Sequence, residues 1–594
     1  MEALSYIAYT LAVAVVLAFG LSACAYAAYR EMLQGGPDSP DFFLTARRSV
    51  KTFMVAWSFF ASAMGSWALF GPPSYCLTAG ATGTLVYSIF SGLPVLLVAW
   101  LGSAVHRLVP DVVSMADYVR RRFGLAFSLY ISLLMVLNMA IAMTAEYTAV
   151  GDLFQHVLGA PRVPIVLLIG ATAMLYTAAG GLYVSIVTDQ WQALASIIFT
   201  AFLTALVLAT FPSPLPPLPP NLGWSNPLGL ASFVFMPVSL LATTLFNEAM
   251  WQRCWASASP SSLLWGAALG SAAITTVVSL LGFAGLLAAW SGVYQPSGPD
   301  DSGNTILFSL FRHHNWALVT VTLLSVTMSE SAVDSLQNAM VDTISSDIAG
   351  VVAALRCREG RSRLPGKGGT GGAAPPVQSK GMRPADSAHS QLEVPGSLKA
   401  GSESAEPSPA VAVTTILPSP DPAVPQPDST PPHHPSGLSI SSIRALVLIL
   451  NIPPLLASLQ GFNVLQLFLL INLINTTSFL PLLLGILQGP LSRVCVTPSS
   501  SVTGCCSGLL SLVVWAKTQQ MPGESYFDAL SRTFLDAYDY PPFLLALGFS
   551  AVGMAVGAGV EAVVRNYWRI EYPPYDLDDG KEKDFEESRN LLGY

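Results

Sequence analysis

Charge is what this chain has least of. Of its 594 residues only 11% are Asp, Glu, Lys or Arg, against roughly 25% in a soluble globular protein. Such a chain has too few charges to cover itself with a water-facing surface, so a soluble enzyme is excluded as the whole. No block of basic residues is present either, which removes nucleic acid as a partner. The seven cysteines (Cys24, Cys76, Cys254, Cys357, Cys495, Cys505 and Cys506) are scattered without C-x-x-C spacing or nearby histidines, so neither a metal site nor a disulfide framework is indicated. No H-E-x-x-H, G-x-S-x-G or phosphate-binding glycine loop appears, which disfavours a membrane-embedded enzyme. A passive channel fits poorly, because no repeated ring of carbonyls or charges is visible.

What the chain has in abundance is apolar sequence: 52% hydrophobic residues and a mean hydropathy of +0.53. Runs long enough to span a bilayer, about 20 residues each, recur along its length and predict an all-α polytopic membrane protein. The runs are 4–29, 53–75, 82–106, 124–158, 163–183, 188–211, 229–250, 262–290, 315–348, 440–459, 463–487, 500–517 and 541–566, about thirteen spans. The first lacks a basic start and is longer than the apolar core of a signal peptide, so it reads as a retained helix. Arg30, Arg47, Arg48 and Lys51, then Arg107 and Arg120 to Arg122, then Arg253, the loop from Arg356, Arg493, Arg565 and Arg569 all fall on one side of this arrangement. The positive-inside rule then places the N-terminus outside and the C-terminus in the cytoplasm, which suggests the plasma membrane as the location.

Two connecting segments have their own character. Pro212 to Pro227 is proline-dense and predicts a stiff extracellular connector. From about Arg356 to Gly437 the chain is rich in Pro, Ser, Gly and Ala and has no apolar period, so it predicts a disordered cytoplasmic insertion that buries too little to order itself. The chain is thus divided into an N-terminal helix and loop (1–52), a core (53–350), the insertion (351–439), the end of the core (440–487), peripheral helices (488–570) and a charged, solvated tail (571–594).

Two stretches carry chemistry. Phe59 to Pro73, FFASAMGSWALFGPP, interrupts a spanning run with Gly65, Ser66, Pro72 and Pro73. Carbonyls left unpaired by such a break must line a cavity within the protein, because lipid cannot satisfy them. In the ninth span, Thr327, Ser331, Ser335, Asn338, Asp342 and Ser345 follow at steps of three or four and share one helical face. Glu330 and Asp334 form a second pair four apart beside it. Intramembrane polar groups mark pathways by default, and hydroxyls with free carbonyls are the hard, partly neutral ligand set that Na⁺ requires. Glu146 and Asp152 in the fourth span, Asp189, and Asn247 with Glu248 in the seventh are further candidates; a cap or interfacial role suits Asp152, and a local ion pair with Arg253 suits Glu248.

Four motifs give these stretches a family. YTAAGGLYVSIVTDQWQ (Tyr176 to Gln192) resembles the YT-x-x-GGL…TD-x-x-Q signature of the solute:sodium symporter family. VVSMADYVRRRFG (Val112 to Gly124) is similar to its T-x-x-x-Y-x-x-x-RFG segment, with Ser114 in place of threonine. SAVDSLQNAMVDTISSDI (Ser331 to Ile348) resembles the sodium-site helix, and ASAMGSWALFGPP (Ala61 to Pro73) resembles the unwound helix of the proline-transporter branch. SWALFGPP together with LFNEAMWQRCWAS (Leu245 to Ser257) is most similar to the urea active transporter branch.

The resemblance implies a LeuT-type core of two five-helix inverted repeats, spans two to six and seven to eleven, with one extra N-terminal helix. It implies Na⁺ at the backbone carbonyls of Ala61 and Met64 and the hydroxyl of Ser331, with Glu330 and Asp334 in the ion set. Solute contacts are expected at Ser62, Gly65, Ser66, Trp67 and Asn247, and Asp189 is expected on the ion exit path. Ala332 stands where a second sodium-site hydroxyl is usual, and Ala63 replaces an aspartate of the proline branch. The first departure removes a ligand and leaves H⁺, carried on Glu330, as the alternative coupling ion; no other cofactor is expected. The implied activity is cation-coupled symport of a small polar solute such as urea by alternating access, with polyamine, proline, sugar and nucleobase as other solutes. A non-transporting nutrient sensor of the same fold, signalling through the insertion, is the alternative of another class.

Overall fold

Backbone polar groups have no water to bond inside a bilayer, so a chain this apolar must satisfy them within each segment, as helix. The computed structural model describes residues 2–36, 38–210, 214–295, 303–362, 438–487, 496–535 and 540–568. Most of the expected insertion, 363–437, and the expected tail, 571–594, lie outside the described residues. Among the described residues there is no β-strand, only an isolated bridge between Val50 and Ser257.

In chain order the helices are α1 (Glu2–Gln34), α2 (Pro40–Thr45), α3 (Thr52–Ala63), α4 (Gly71–Leu108), α5 (Met115–Phe123), α6 (Leu125–Asp152) and α7 (Arg162–Thr210). They continue with α8 (Pro227–Leu245), α9 (Glu248–Ala256), α10 (Pro260–Trp290), α11 (Ile306–Ser309) and α12 (Asn315–Ser362). The last five are α13 (Ile440–Ser458), α14 (Val464–Ile486), α15 (Pro498–Thr518), α16 (Tyr526–Leu535) and α17 (Pro541–Trp568). Among the described residues eleven helices are long and apolar enough to cross a membrane, which makes this an integral membrane protein. Helix α7 contains both 163–183 and 188–211 and turns at Gly181 (φ +59°), while the expected span 53–75 is divided between the shorter α3 and the start of α4, which turns at Gly80 (φ +62°) before the expected span 82–106.

Those two glycines are required by both backbone and space. A Cβ at Gly80 would lie 2.7 Å from the carbonyl oxygen of Gly223, and one at Gly181 would lie 2.5 Å from that of Phe43. The positive φ reverses the chain direction without a loop. Each turn therefore lets one helix pack at once against its predecessor's neighbours.

Each half of the core begins with a broken helix. In the first, α3 stops at Ala63, Met64 and Gly65 are extended, and a 3₁₀ turn at Ser66–Leu69 leads into α4. In the second, α8 stops at Leu245 and α9 restarts at Glu248, capped by the Asn247 side chain. Helix α10 packs against α3 and α4, α7 against α3 and α1, and α14 against α6 and α8. Helix α12 is the centre of the assembly: 78% of its spanning stretch is buried, against 28% for α1 and α13. A helix with so many hydroxyls and carboxyls is tolerated in a membrane because its neighbours cover it.

Candidate functional site

The break in the first helix leaves backbone groups without their helical partners. Met64 N–H still donates to Phe60 O at 2.9 Å, and Ala68 N–H donates to Gly65 O at 3.1 Å. The amide of Ser66, which an unbroken helix would give to the carbonyl of Ser62, donates instead to Glu146 Oε2 at 2.6 Å. Among the described residues no backbone amide reaches the carbonyls of Ala61, Ser62 or Met64 across the break. These oxygens are buried with their residues, Ala61 being 3% and Met64 1% exposed. The sequence expectation that this segment carries free carbonyls within the protein rests on that arrangement.

Helix α12 runs beside the break and is tied to it at two levels. Ser66 Oγ donates to Ser325 O at 2.7 Å and lies 2.9 Å from Ser325 Oγ. Four residues earlier, on α3, Ser62 Oγ lies 3.0 Å from Ser335 Oγ and donates to Ser58 O. Spans two and nine, each offering half of an ion site in the sequence, are therefore in contact. Between these levels Ser331 Oγ donates to Asp189 Oδ1 at 2.8 Å. A hydroxyl whose hydrogen is turned to a carboxylate presents its lone pairs elsewhere, so Ser331 suits a cation ligand. These are hard oxygen groups of the type a small cation takes: carbonyls on the break that no backbone amide reaches among the described residues, and the Ser331 hydroxyl of α12 bonded to the Asp189 carboxylate of α7.

Asp189 is the hub that the sequence placed on an exit path, and its partner is Arg253. The guanidinium is 1% exposed. Its Nη2 donates to Asp189 Oδ2 at 3.1 Å and to Ser335 Oγ at 2.7 Å, its Nε donates to Ser58 Oγ at 2.9 Å, and its Nη1 donates to Ala249 O at 3.0 Å. Ser58 Oγ in turn donates to Asp189 Oδ2 at 2.7 Å. One buried ion pair thus joins α3, α7, α9 and α12. This corrects the expectation of a local Glu248–Arg253 pair: five residues apart on α9 and so about 140° apart around it, the two side chains serve different helices.

Glu248 instead accepts from Met115 N–H at 3.1 and 3.2 Å and from Trp255 Nε1 at 3.4 Å. Gln252, one turn along, donates to Asp342 Oδ2 at 3.3 Å and to Leu44 O at 3.2 Å. Asp334 accepts from Thr177 and from Asn338 Nδ2, which turns it toward α7. Glu330 follows neither neighbour. Its two carboxyl oxygens are buried and have no hydrogen-bond partner among the described residues; one residue along a helix turns its side chain by about 100° from the Ser331 direction. Asn247 uses its side chain to cap α9, accepting from Ala249 N–H at 3.0 Å. Asp152 pairs with Arg162 at 3.6 Å near the surface.

Trp67 closes the break on its other side. Its Nε1 donates to Ala63 O at 3.1 Å, and its ring lies 6.2 Å from Tyr87 and 5.9 Å from Phe468. A cavity adjoining these rings is lined by Tyr75, Tyr87, Phe235, Phe468 and Asn472 among others. Gly65 has no room for a side chain, since a Cβ there would lie 2.0 Å from Glu146 Oε1. Glu146 and Arg253 are the two residues whose place sequence reasoning did not find. The only signal available for either was a charge inside an apolar run.

Paired broken helices around a buried polar helix define the LeuT type of membrane transporter fold. The chain superimposes on the substrate-bound outward-open state of a Na⁺-coupled sialic acid symporter with a TM-score of 0.58 over 94% of this chain and 97% of that one, at 14% identity. The model of the sodium:solute symporter family matches residues 42–214, the stretch that holds three of the four motifs that resemble that family. The chain is also 28% identical over 337 residues to the spermidine transporter DUR31 of Candida albicans (strain SC5314 / ATCC MYA-2876). That match covers 55% of this chain and 64% of the relative, less than two thirds of the relative's length.

Proposed function

We propose that this protein is a cation-coupled symporter that carries a small organic amine of the polyamine class across the plasma membrane by alternating access. The observation that supports the reading is the contact between the broken first helix and α12 through Ser62 and Ser335, with Ser331, on the same helix α12, bonded to Asp189. Ion binding there would bridge two elements that must separate when the site opens, and would favour one state over the other by its differential affinity. Na⁺ is the coupling ion that suits this oxygen set and the family. The solute would lie beside it, at Ser62, Gly65, Ser66 and Trp67. The polyamine class is favoured by the name of the fungal relative. Urea, toward which the SWALFGPP motif pointed, has no such support. The cationic loops orient the N-terminus outside and the C-terminus in the cytoplasm.

A second reading, H⁺ coupling, is favoured by one specific observation: both carboxyl oxygens of Glu330 are buried without a partner among the described residues. The experiment that tests both is uptake of radiolabelled spermidine, putrescine and urea into proteoliposomes, with and without a Na⁺ gradient and across a pH series. Sodium-dependent amine uptake that is lost in Ser331→Ala supports the first reading. Sodium-independent uptake that is driven by a pH gradient and lost in Glu330→Gln supports the second. No gradient-dependent uptake of any of the three solutes refutes both.

A further inference from the structure

In the fold's usual logic, the half-helix that restarts after the break presents its free amides to an anionic group of the solute. Here a protein side chain has taken that place. Glu146, from the last two turns of α6, reaches the extended turn and accepts the Ser66 amide at 2.6 Å. Gly65 is bare because the carboxyl group fills the volume where a side chain would stand. Glu146 is 2% exposed, and none of the salt bridges formed among the described residues includes it. The Trp67 amide and the Ser329 hydroxyl also hydrogen-bond to this carboxyl group, so several donors converge on it at the restart. Those bonds bring no full positive charge, and a buried carboxylate with no cation is costly, a cost that a solute cation would offset.

Immediately beyond Ser66, Trp67 opens a run of rings, with Tyr87 and Phe468 on either side and Tyr75 5.6 Å from Tyr87. Aromatic faces attract organic ammonium groups but offer no oxygen ligands to a bare metal ion. We propose that Glu146 is the specificity-determining anion of the solute site, pairing with a protonated amine of the solute and excluding carboxylate solutes from the broken helix. This deepens the transport reading and rests on its placement of the solute at the break. With Glu146 in position, a solute carboxylate would meet a like charge at the amides it needs. An ammonium would meet a carboxylate oriented by Ser66, with rings behind it.

The test is binding of radiolabelled spermidine to the full-length protein in nanodiscs, for wild type, Glu146→Gln and Glu146→Asp. Truncating one partner of a buried charged pair costs about 2 kcal/mol or more, so Glu146→Gln is expected to weaken spermidine binding at least about 30-fold. Glu146→Asp, which keeps the charge, should lose less. The Na⁺ concentration for half-maximal binding should stay within about twofold in both, a readout that general damage to the break would move. Equal spermidine affinity in wild type and Glu146→Gln overturns the inference, as does a variant whose Na⁺ requirement changes in place of its amine affinity. Failure of wild type to bind any organic ammonium also overturns it. Glu146-dependent binding without uptake in proteoliposomes would refute the transport reading and uphold the inference. Should Glu146→Gln not fold, wild-type discrimination between putrescine and uncharged 1,4-butanediol decides, and equal affinities overturn the inference.

Discussion

Arg253 and Asp189 offer the sharpest test of how the core is held together. In Arg253→Met the apolar stem is largely preserved, but four hydrogen bonds of 2.7 to 3.1 Å disappear. Asp189 would then keep only the hydroxyls of Ser58 and Ser331 and would carry an uncompensated charge in a site with no solvent. Breaking a buried pair by removing one partner costs about 3–5 kcal/mol. Asp189→Asn should cost a similar amount, because it strands the guanidinium among Ser58, Ser335 and the Ala249 carbonyl. The double variant removes both charges. Replacing a buried pair by neutral groups is often close to neutral, so the double variant should be no less stable than either single one, with a coupling of about 3 kcal/mol. Unfolding by SDS in mixed micelles, followed by tryptophan fluorescence, gives the three differences against wild type. A double variant whose cost equals the sum of the singles, about 6–10 kcal/mol, would refute the claim that the two charges stabilise each other.

Four further outcomes are expected. Ser331→Ala should abolish Na⁺-dependent uptake while leaving membrane insertion intact, and unchanged uptake with unchanged Na⁺ dependence would remove Ser331 from the ion site. Gly181→Ala places a Cβ 2.5 Å from the Phe43 carbonyl at φ +59°; a loss of at least about 1–3 kcal/mol should appear in the same SDS titration. Gly65→Ala should displace the Glu146 carboxyl from the Ser66 amide, a charge-assisted bond of about 1.5–3 kcal/mol, and so weaken amine binding without touching Glu146 itself. In the loop after α15, the Met521 amide and Arg532 hold the half-buried Glu524 carboxyl below the usual carboxylate range. A depressed value means stabilisation that is present above the ordinary glutamate range and is lost as pH falls through the lower folded value. Hydrogen exchange of residues 519–535 should therefore quicken on acidification, and more weakly in Arg532→Gln.

Much of this architecture was legible because a bilayer leaves so few choices. Span length, small residues at Gly65 and Ser66, and a three-to-four-residue polar period in Ser325–Ile348 are local signals, and each corresponds to a real element: the helix break, the 3₁₀ restart, and the buried face of α12. The partners of those signals were not legible, because they depend on which helices touch. Glu146 and Ser66 are 80 residues apart, and Arg253 and Asp189 are 64 apart. The expected Glu248–Arg253 pair failed for a local reason that the sequence did hold: five residues along a helix turn two side chains about 140° apart, outside the three-to-four spacing of a helical ion pair. The turns at Gly80 and Gly181, by contrast, were not legible. A glycine in an apolar run is silent until its neighbours show that the backbone there has left the helical region.

The ion pair at the centre of the core also bears on voltage. Because Asp189 and Arg253 neutralise one another within the protein, that pair presents no net charge to a membrane potential. On the proposed reading, when the carrier returns unloaded this pair adds nothing to the charge displaced, whereas the loaded carrier moves the coupling ion together with the positive charges of the amine. Each such charge gains about 2.3 kcal/mol per 100 mV. The pair therefore leaves the electrical driving force to the coupling ion, the solute and the Glu146 anion of the solute site, and an inside-negative cell would accumulate a polycation far more steeply than a neutral solute by the same machinery.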